Sequence, residues 1–252
     1  MVLFNEKAME LDVKQCDLMM DIYSHDIHNM LNMYTESCYL EETASTEEEK
    51  ESSSEGKQTV LQAIVAKLKS LIQKVGDMID AFKASITSKK NLTAEEYLNS
   101  ETARINFAYD VASIQKEVDE EYLEARKVVQ GISKITKVPV EKVAAFCDKM
   151  DEKLHNNKDK FLPTAKAVVS TIAIEKTRKT VRDRIMESKN ITERSKKIVD
   201  DFNKTIGVTD DPETDKKVSV MTRFISTIGK MNKRWMRVSD TLDSEMSRAM
   251  KK

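Results

Sequence analysis

At 252 residues the chain is long enough for a sizeable core and for one or two domains. Five glycines and three prolines are too few for the turns of an all-β or α/β protein of this length, while 34% charged residues, 14 methionines and 6% aromatics describe long helices. The formal net charge of −1 hides a segregation: residues 1–56 hold fourteen acids and three bases, and residues 57–252 hold twenty-nine acids and thirty-nine bases. An asymmetry of that kind points to interaction surfaces more than to chemistry.

In chain order, residues 1–40 read as an acidic N-terminal helical segment. Met9, Val13, Cys16, Met20, Tyr23, Ile27, Met30 and Tyr34 recur at spacings of three and four and share one face. Residues 41–58 follow as a Glu/Ser linker. Its first sixteen residues contain seven glutamates, six Ser/Thr and a single apolar side chain, Ala44. Such a tract buries too little surface to offset chain entropy and is expected to be disordered.

Residues 59–252 form the basic helical body. From Thr59 to about Ser88 an unbroken stripe of Leu61, Ile64, Leu68, Leu71, Val75, Met78 and Phe82 is widened by Val65, Ile72 and Ile79. This pattern predicts a bundle-facing helix or a coiled-coil seam. Further on, Thr93 with Glu96 is a capping box that opens a helix, re-started near Ser100, ending around Gly131 or Lys137. Pro139 opens the next helix, and His155 to Lys158 break it. Pro163 is expected to start a helix reaching Ser188, Asn190 to Thr192 to cap another ending at Gly207, and Asp211-Pro212 to start the last. That last helix carries Val218, Met221, Ile225, Ile228, Trp235, Leu242 and Met246 as its stripe. The expectation is an all-α protein: an elongated multi-helix bundle of about seven helices with coiled-coil-like pairing and no strand.

Few residues suggest chemistry. Asp21, His25 and His28, at spacings of four and three, can project from one helical face, and two imidazoles with a carboxylate form a recognised metal-ligand set. The competing reading is a solvated face opposite the methionine stripe. Cys16, Cys38 and Cys147 are odd in number and widely spaced, which fits a reducing compartment and gives neither a disulfide framework nor a zinc signature. There is no G-x-S-x-G, no glycine-rich phosphate loop and no kinase signature. An enzyme is not expected, nor are a cofactor and a small-molecule substrate. No basic leader precedes an apolar run, and no stretch approaches 18 uncharged apolar residues, so neither secretion nor a transmembrane helix is expected.

Three surfaces suggest partners. Lys67, Lys69, Lys74, Lys83, Lys89 and Lys90 oppose the stripe of the helix at 59–88, and a basic amphipathic helix can lie in a membrane interface. Lys230, Lys233, Arg234 and Arg237 flank Trp235 within a C-terminal segment of ten bases and three acids. Clustered bases neutralise phosphates and an interleaved aromatic can stack on a nucleobase; the competing reading puts Trp235 in the core. Lys176, Arg178, Lys179, Arg182 and Arg184 form a second basic patch, diluted by Glu175 and Asp183.

The layout of acidic N-terminal helix, Glu/Ser linker, basic amphipathic helix and long helical body resembles internal virion proteins of large tailed bacteriophages. Leu40-Glu41-Glu42 is similar to the L-x-E pattern at which phage prohead proteases cut. The resemblance implies a non-enzymatic component of the capsid interior, located in the virion or host cytoplasm. It also implies self-association or binding to other virion proteins, and cleavage after Glu42 that separates the acidic segment from the basic body. Peripheral membrane binding through residues 59–88 and non-specific DNA binding are the alternatives from other classes.

Overall fold

A computed structural model of the chain describes residues 21–36, 39, 47–88, 104–156, 163–204 and 213–250. Six α-helices run through them: α1 (21–36), α2 (Glu47–Ser88), α3 (Val111–Gly131), α4 (Val140–Asn156), α5 (Thr171–Asn203) and α6 (Thr214–Met250). Two strands, β1 (Arg104–Tyr109) and β2 (Pro163–Ser170), pair as an antiparallel ribbon with Ile105 opposite Val169 and Phe107 opposite Ala167. A 3-10 turn, Ile135–Lys137, joins α3 to α4.

The protein is nearly all helical, as composition requires, with long elements. The 42 residues of α2 span ~63 Å at ~1.5 Å per residue. Every member of the expected stripe from Leu61 to Phe82, and the three residues beside it, is buried in the common core. Against α2 lies α5, antiparallel, with Lys189 meeting Asp80 and Lys69 meeting Asp200. Helix α6 also runs antiparallel to α5, since Arg178 reaches Asp243 while Ser188 reaches Asn232. By contrast α3 runs parallel to α5: Val111 meets Thr177, Asp119 meets Arg184 and Val129 meets Arg194. The α3–α4 hairpin packs its second arm on α6, where Phe146 and Phe224 rings lie 5.6 Å apart. Helix α1 folds back on α2, with Asp26 paired to Lys67 at 2.8 Å and Ile27, Leu31 and Tyr34 joining the core.

Four expectations need correction. The last two thirds of the Glu/Ser tract are not a disordered linker: Glu47 to Gln58 form the first turns of α2. Glutamate is a good helix former, and Glu47, Glu48 and Glu49 sit at the positive end of the helix dipole. Pro163 opens β2 instead of a helix, and β1 occupies residues assigned to one. Ile105, Phe107 and Tyr109 alternate with period two, and Val168-Val169 is β-branched, so strand preference prevails there. The helices start later, at real caps: Asp110 accepts from the amides of Ala112 and Ser113 at 3.0 and 3.3 Å, and Ser170 from Ala173 at 3.3 Å. Finally, no cap interrupts α5 at Asn190 to Thr192; the Thr192 hydroxyl donates back to the Ser188 carbonyl at 3.2 Å within a continuous helix. Pro139 does stand at a helix entrance, its carbonyl accepting from Lys142 and Val143. The residues Met9 to Met20, Cys38, Leu40, Glu42, Thr93, Glu96, Gly207 and Asp211-Pro212 lie outside the described residues.

Candidate functional site

The C-terminal basic cluster divides in two. Trp235 belongs to the core and cannot stack on a base: it is buried, and its indole N–H donates to Glu121 Oε2 at 2.9 Å. Arg234 is committed to the same place, with Nη1 to Glu121 Oε1 at 3.1 Å and Nη2 to Glu117 Oε1 at 2.6 Å. Lys153 adds a charge 3.7 Å from Glu121 Oε1. Burial raises the Glu121 pKa above the usual carboxylate value, because desolvation outweighs the lowering by Arg234 and Trp235. The sequence signal for this group is that Glu121 falls on the apolar stripe Val111, Ile114, Val118, Tyr122, Ala125 and Val129. A carboxylate at such a position needs partners, and α6 supplies them.

The three arginines of the second basic patch are consumed in the same way, while Lys176 and Lys179 stay exposed. Arg178 bonds Glu175 and Asp243, Arg182 reaches Asp243 at 2.6 Å and Ser239 at 3.3 Å, and Arg184 bonds Asp119 at 2.6 Å and Glu187. These are planar, charge-assisted contacts; those to Glu175 and Glu187 stay within α5, and those to Asp119, Ser239 and Asp243 cross to neighbouring helices. They stitch α3, α5 and α6 together and present little to a partner.

What remains outward is more regular than the cluster suggested. Lys230 and Arg237 are exposed, and with Lys216 and Arg223 they recur every seven residues along one face of α6. Seven residues make nearly two full turns, so the four bases form a line parallel to the helix axis, ~10 Å apart. Lys233, one turn off this line, is half-buried.

Beside the line, α1 closes a polar groove against α4 and α6. Asp21, Ser24 and His28 come from α1, Asp151 from α4, and Arg223, Ser226 and Lys230 from α6. Arg223 is braced by Asp148 and Asp151, both at 2.7 Å. Of the proposed metal ligands, Asp21 and His28 line the groove and His25 points elsewhere, exposed to solvent. Among the described residues no group of three His, Cys, Asp or Glu side chains is placed to hold a metal ion. Behind the groove wall, Cys147 is fully buried, with burial pushing its thiol up to about 11. Sequence reasoning missed the groove because Ser24, Asp151 and Ser226 come from three helices whose packing periodicity does not encode.

No helix among the described residues is long and apolar enough to cross a membrane. Compared with known proteins, the chain matches no family model, no curated protein sequence and no solved structure.

Proposed function

We propose that this chain is a non-enzymatic structural and assembly protein, a component of a phage virion or capsid interior. The observation that carries the reading is the line of exposed bases Lys216, Arg223, Lys230 and Arg237, Arg223 among them braced by Asp148 and Asp151, while Arg178, Arg182, Arg184 and Arg234 are turned to ion pairs inside the bundle. A polar inventory used that way favours rigidity and a charged docking face over a reacting centre. In this reading the long helices associate by coiled-coil-like pairing, partners are virion proteins or further copies of the chain, and the acidic N-terminal segment screens the basic line. Asp26 already engages Lys67, and Asp21 lines the groove that contains Arg223 and Lys230.

A second reading, non-specific DNA binding, is favoured by the same line. Its bases would displace counterions, giving a binding constant that falls with salt by about 0.9 log units per log unit for each phosphate neutralised. The membrane reading has less support, because the apolar stripe it needs is buried in the core. The test is twofold. Proteomics of density-gradient-purified particles from the source culture should recover the chain in stoichiometric amount, and its absence would sink the virion reading. In parallel, full-length protein and a variant with Lys216, Lys230 and Arg237 changed to Gln should be titrated with duplex DNA across salt. Equal, salt-insensitive binding by both would remove the DNA reading.

A further inference from the structure

Charge is unevenly spread at the end of the bundle where the α3–α4 hairpin turns. Residues 126–142 and 193–204 hold nine bases and four acids. The two stretches are neighbours, since the Arg194 guanidinium donates to the carbonyls of Val129 and Ile132, each at 3.2 Å. Of the four acids, Asp200 is taken by Lys69 at 2.6 Å and Asp201 by Lys204 at 3.3 Å. Residues 213–217, which lead into α6 at the same end, add two acids and two bases and leave the excess unchanged. Lys127, Lys134, Lys137, Lys142 and Lys197 are exposed, and none of them has an ion pair among the described residues. Like charges gathered in this way repel one another and favour an acidic partner.

The same end carries the opposite charge on a separate element. Because Lys69 meets Asp200 close to where α5 ends, the residues of α2 before Lys69 run out past α5. Helix α1 covers α2 as far as Lys57, whose ammonium lies 5.9 Å from the centre of the Tyr34 ring, and the buried stripe starts only at Leu61. Residues 47–56 project as helix beyond this packing, for ~15 Å at ~1.5 Å per residue. They contain five glutamates, one lysine and no apolar residue. Serine and glycine are poor helix formers and a short polar helix is unstable alone, so a surface to lie on would stabilise the projection. The hairpin end of its own chain is not that surface. Helix α2 meets α5 at Lys189 and Asp200, α3 meets it on another flank at Arg184 and Arg194, and α2 is continuous from Glu47 to Ser88.

We propose that two copies of this chain associate end to end through two equivalent contacts. In each, the Glu-rich first turns of α2 from one copy lie against the basic α3–α4 turn and the last turns of α5 in the other. Donor and acceptor sit at the same end on different flanks, so a two-fold axis satisfies both contacts at once and the assembly closes as a dimer. The contact uses none of the bases in the α6 line and does not depend on where the protein resides. Exposed ion pairs are individually weak, so the association needs many of them together, rises with concentration and falls with salt. In dilute solution the projection is free.

Sedimentation equilibrium of the full-length chain reads the association. At high concentration and low salt the mass should approach that of two chains, and about 1 M salt, where the Debye length is about 3 Å, should return it to one. Two triple variants reverse the charge of either side: Glu48→Lys with Glu49→Lys and Glu55→Lys, and Lys134→Glu with Lys137→Glu and Lys197→Glu. Each should be monomeric alone, because like charges then face each other in both contacts. Mixed one to one, the two should associate again, since each reversed segment meets its complement. Lys176→Glu with Lys179→Glu, exposed toward the other end of α5, should leave the association unchanged. The substituted lysines are exposed, so their variants should melt as the parent does. Carbodiimide cross-linking of isotope-labelled parent mixed with unlabelled parent should join residues 47–56 of one copy to Lys134, Lys137 or Lys197 of the other. A parent that stays monomeric, variants that associate as it does, a mixture that stays monomeric, or cross-links confined to one chain would each overturn the proposal. So would loss of duplex-DNA binding in the lysine variant with association intact, which would make this end a nucleic-acid surface.

Discussion

Replacing Leu71 tests whether the stripe of α2 is core or a lipid-facing surface. The residue is fully buried at the middle of the stripe, with Leu68, Ile72 and Val75 as buried neighbours on the same face. Core leucine-to-alanine changes cost about 2–5 kcal/mol through lost transfer energy and the cavity left behind. For a protein of this size roughly 2–4 °C of Tm accompanies each kcal/mol, so Leu71→Ala should lower Tm by roughly 4–20 °C. Leu71→Glu should do worse, because a carboxylate placed there has no partner to offset its desolvation. The control is Gln73→Ala, two residues away on the exposed side, where only a surface hydrogen bond to Asp77 is lost. Its effect should stay within about 0.5 kcal/mol. Circular dichroism melts at 222 nm read all three, and liposome co-sedimentation is run alongside. A Leu71→Glu protein with an unchanged melt and lost liposome binding would refute the core assignment and make membrane association the working function.

Other consequences concern buried ionisable groups and local stability. Glu121 has its folded pKa raised, so it stabilises the fold below its unfolded value near 4.5 and that contribution is lost as pH rises through the folded value. The stability of Glu121→Gln relative to the parent should therefore improve from pH 4.5 toward 7 in urea titrations, and a pH-independent difference would contradict the shift. Truncation is another matter: Glu121→Ala leaves Arg234 and the Trp235 N–H short of a partner and should cost about 3–5 kcal/mol, read by the same titrations. In a background with Cys16 and Cys38 changed to Ser, Cys147 should resist a thiol reagent at pH 8 until denaturant is added, given burial and a pKa near 11. Rapid labelling of the folded protein would show that wall of the groove to be open. Along α2, amide exchange should be fast at residues 47–58 and slow at 61–82, because the sequence places apolar residues only in the second stretch, where they are buried; uniform protection would mean that the Glu-rich turns are packed as well.

Local regularity and its limits account for what could be read in advance. The helix stripe from Leu61 to Phe82, the α4 start after Pro139, the face of Tyr23, Ile27 and Tyr34, and the nearly all-helical class were legible because amphipathic period and scarce turn residues are properties of neighbouring positions. The ribbon was legible in principle in Ile105, Phe107 and Tyr109, but a six-residue alternation competes poorly with the helical signals around it. The ionic and polar groupings were not legible. That Arg234 and Trp235 turn inward to Glu117 and Glu121, more than a hundred residues earlier, while Lys230 and Arg237 stay outside, depends on which face of α6 meets α3. The same holds for the groove, which joins Ser24 to Arg223 and Asp151. A charge or hydroxyl has the same identity in either setting; desolvation and partnership, which decide its role, exist only once the helices are packed.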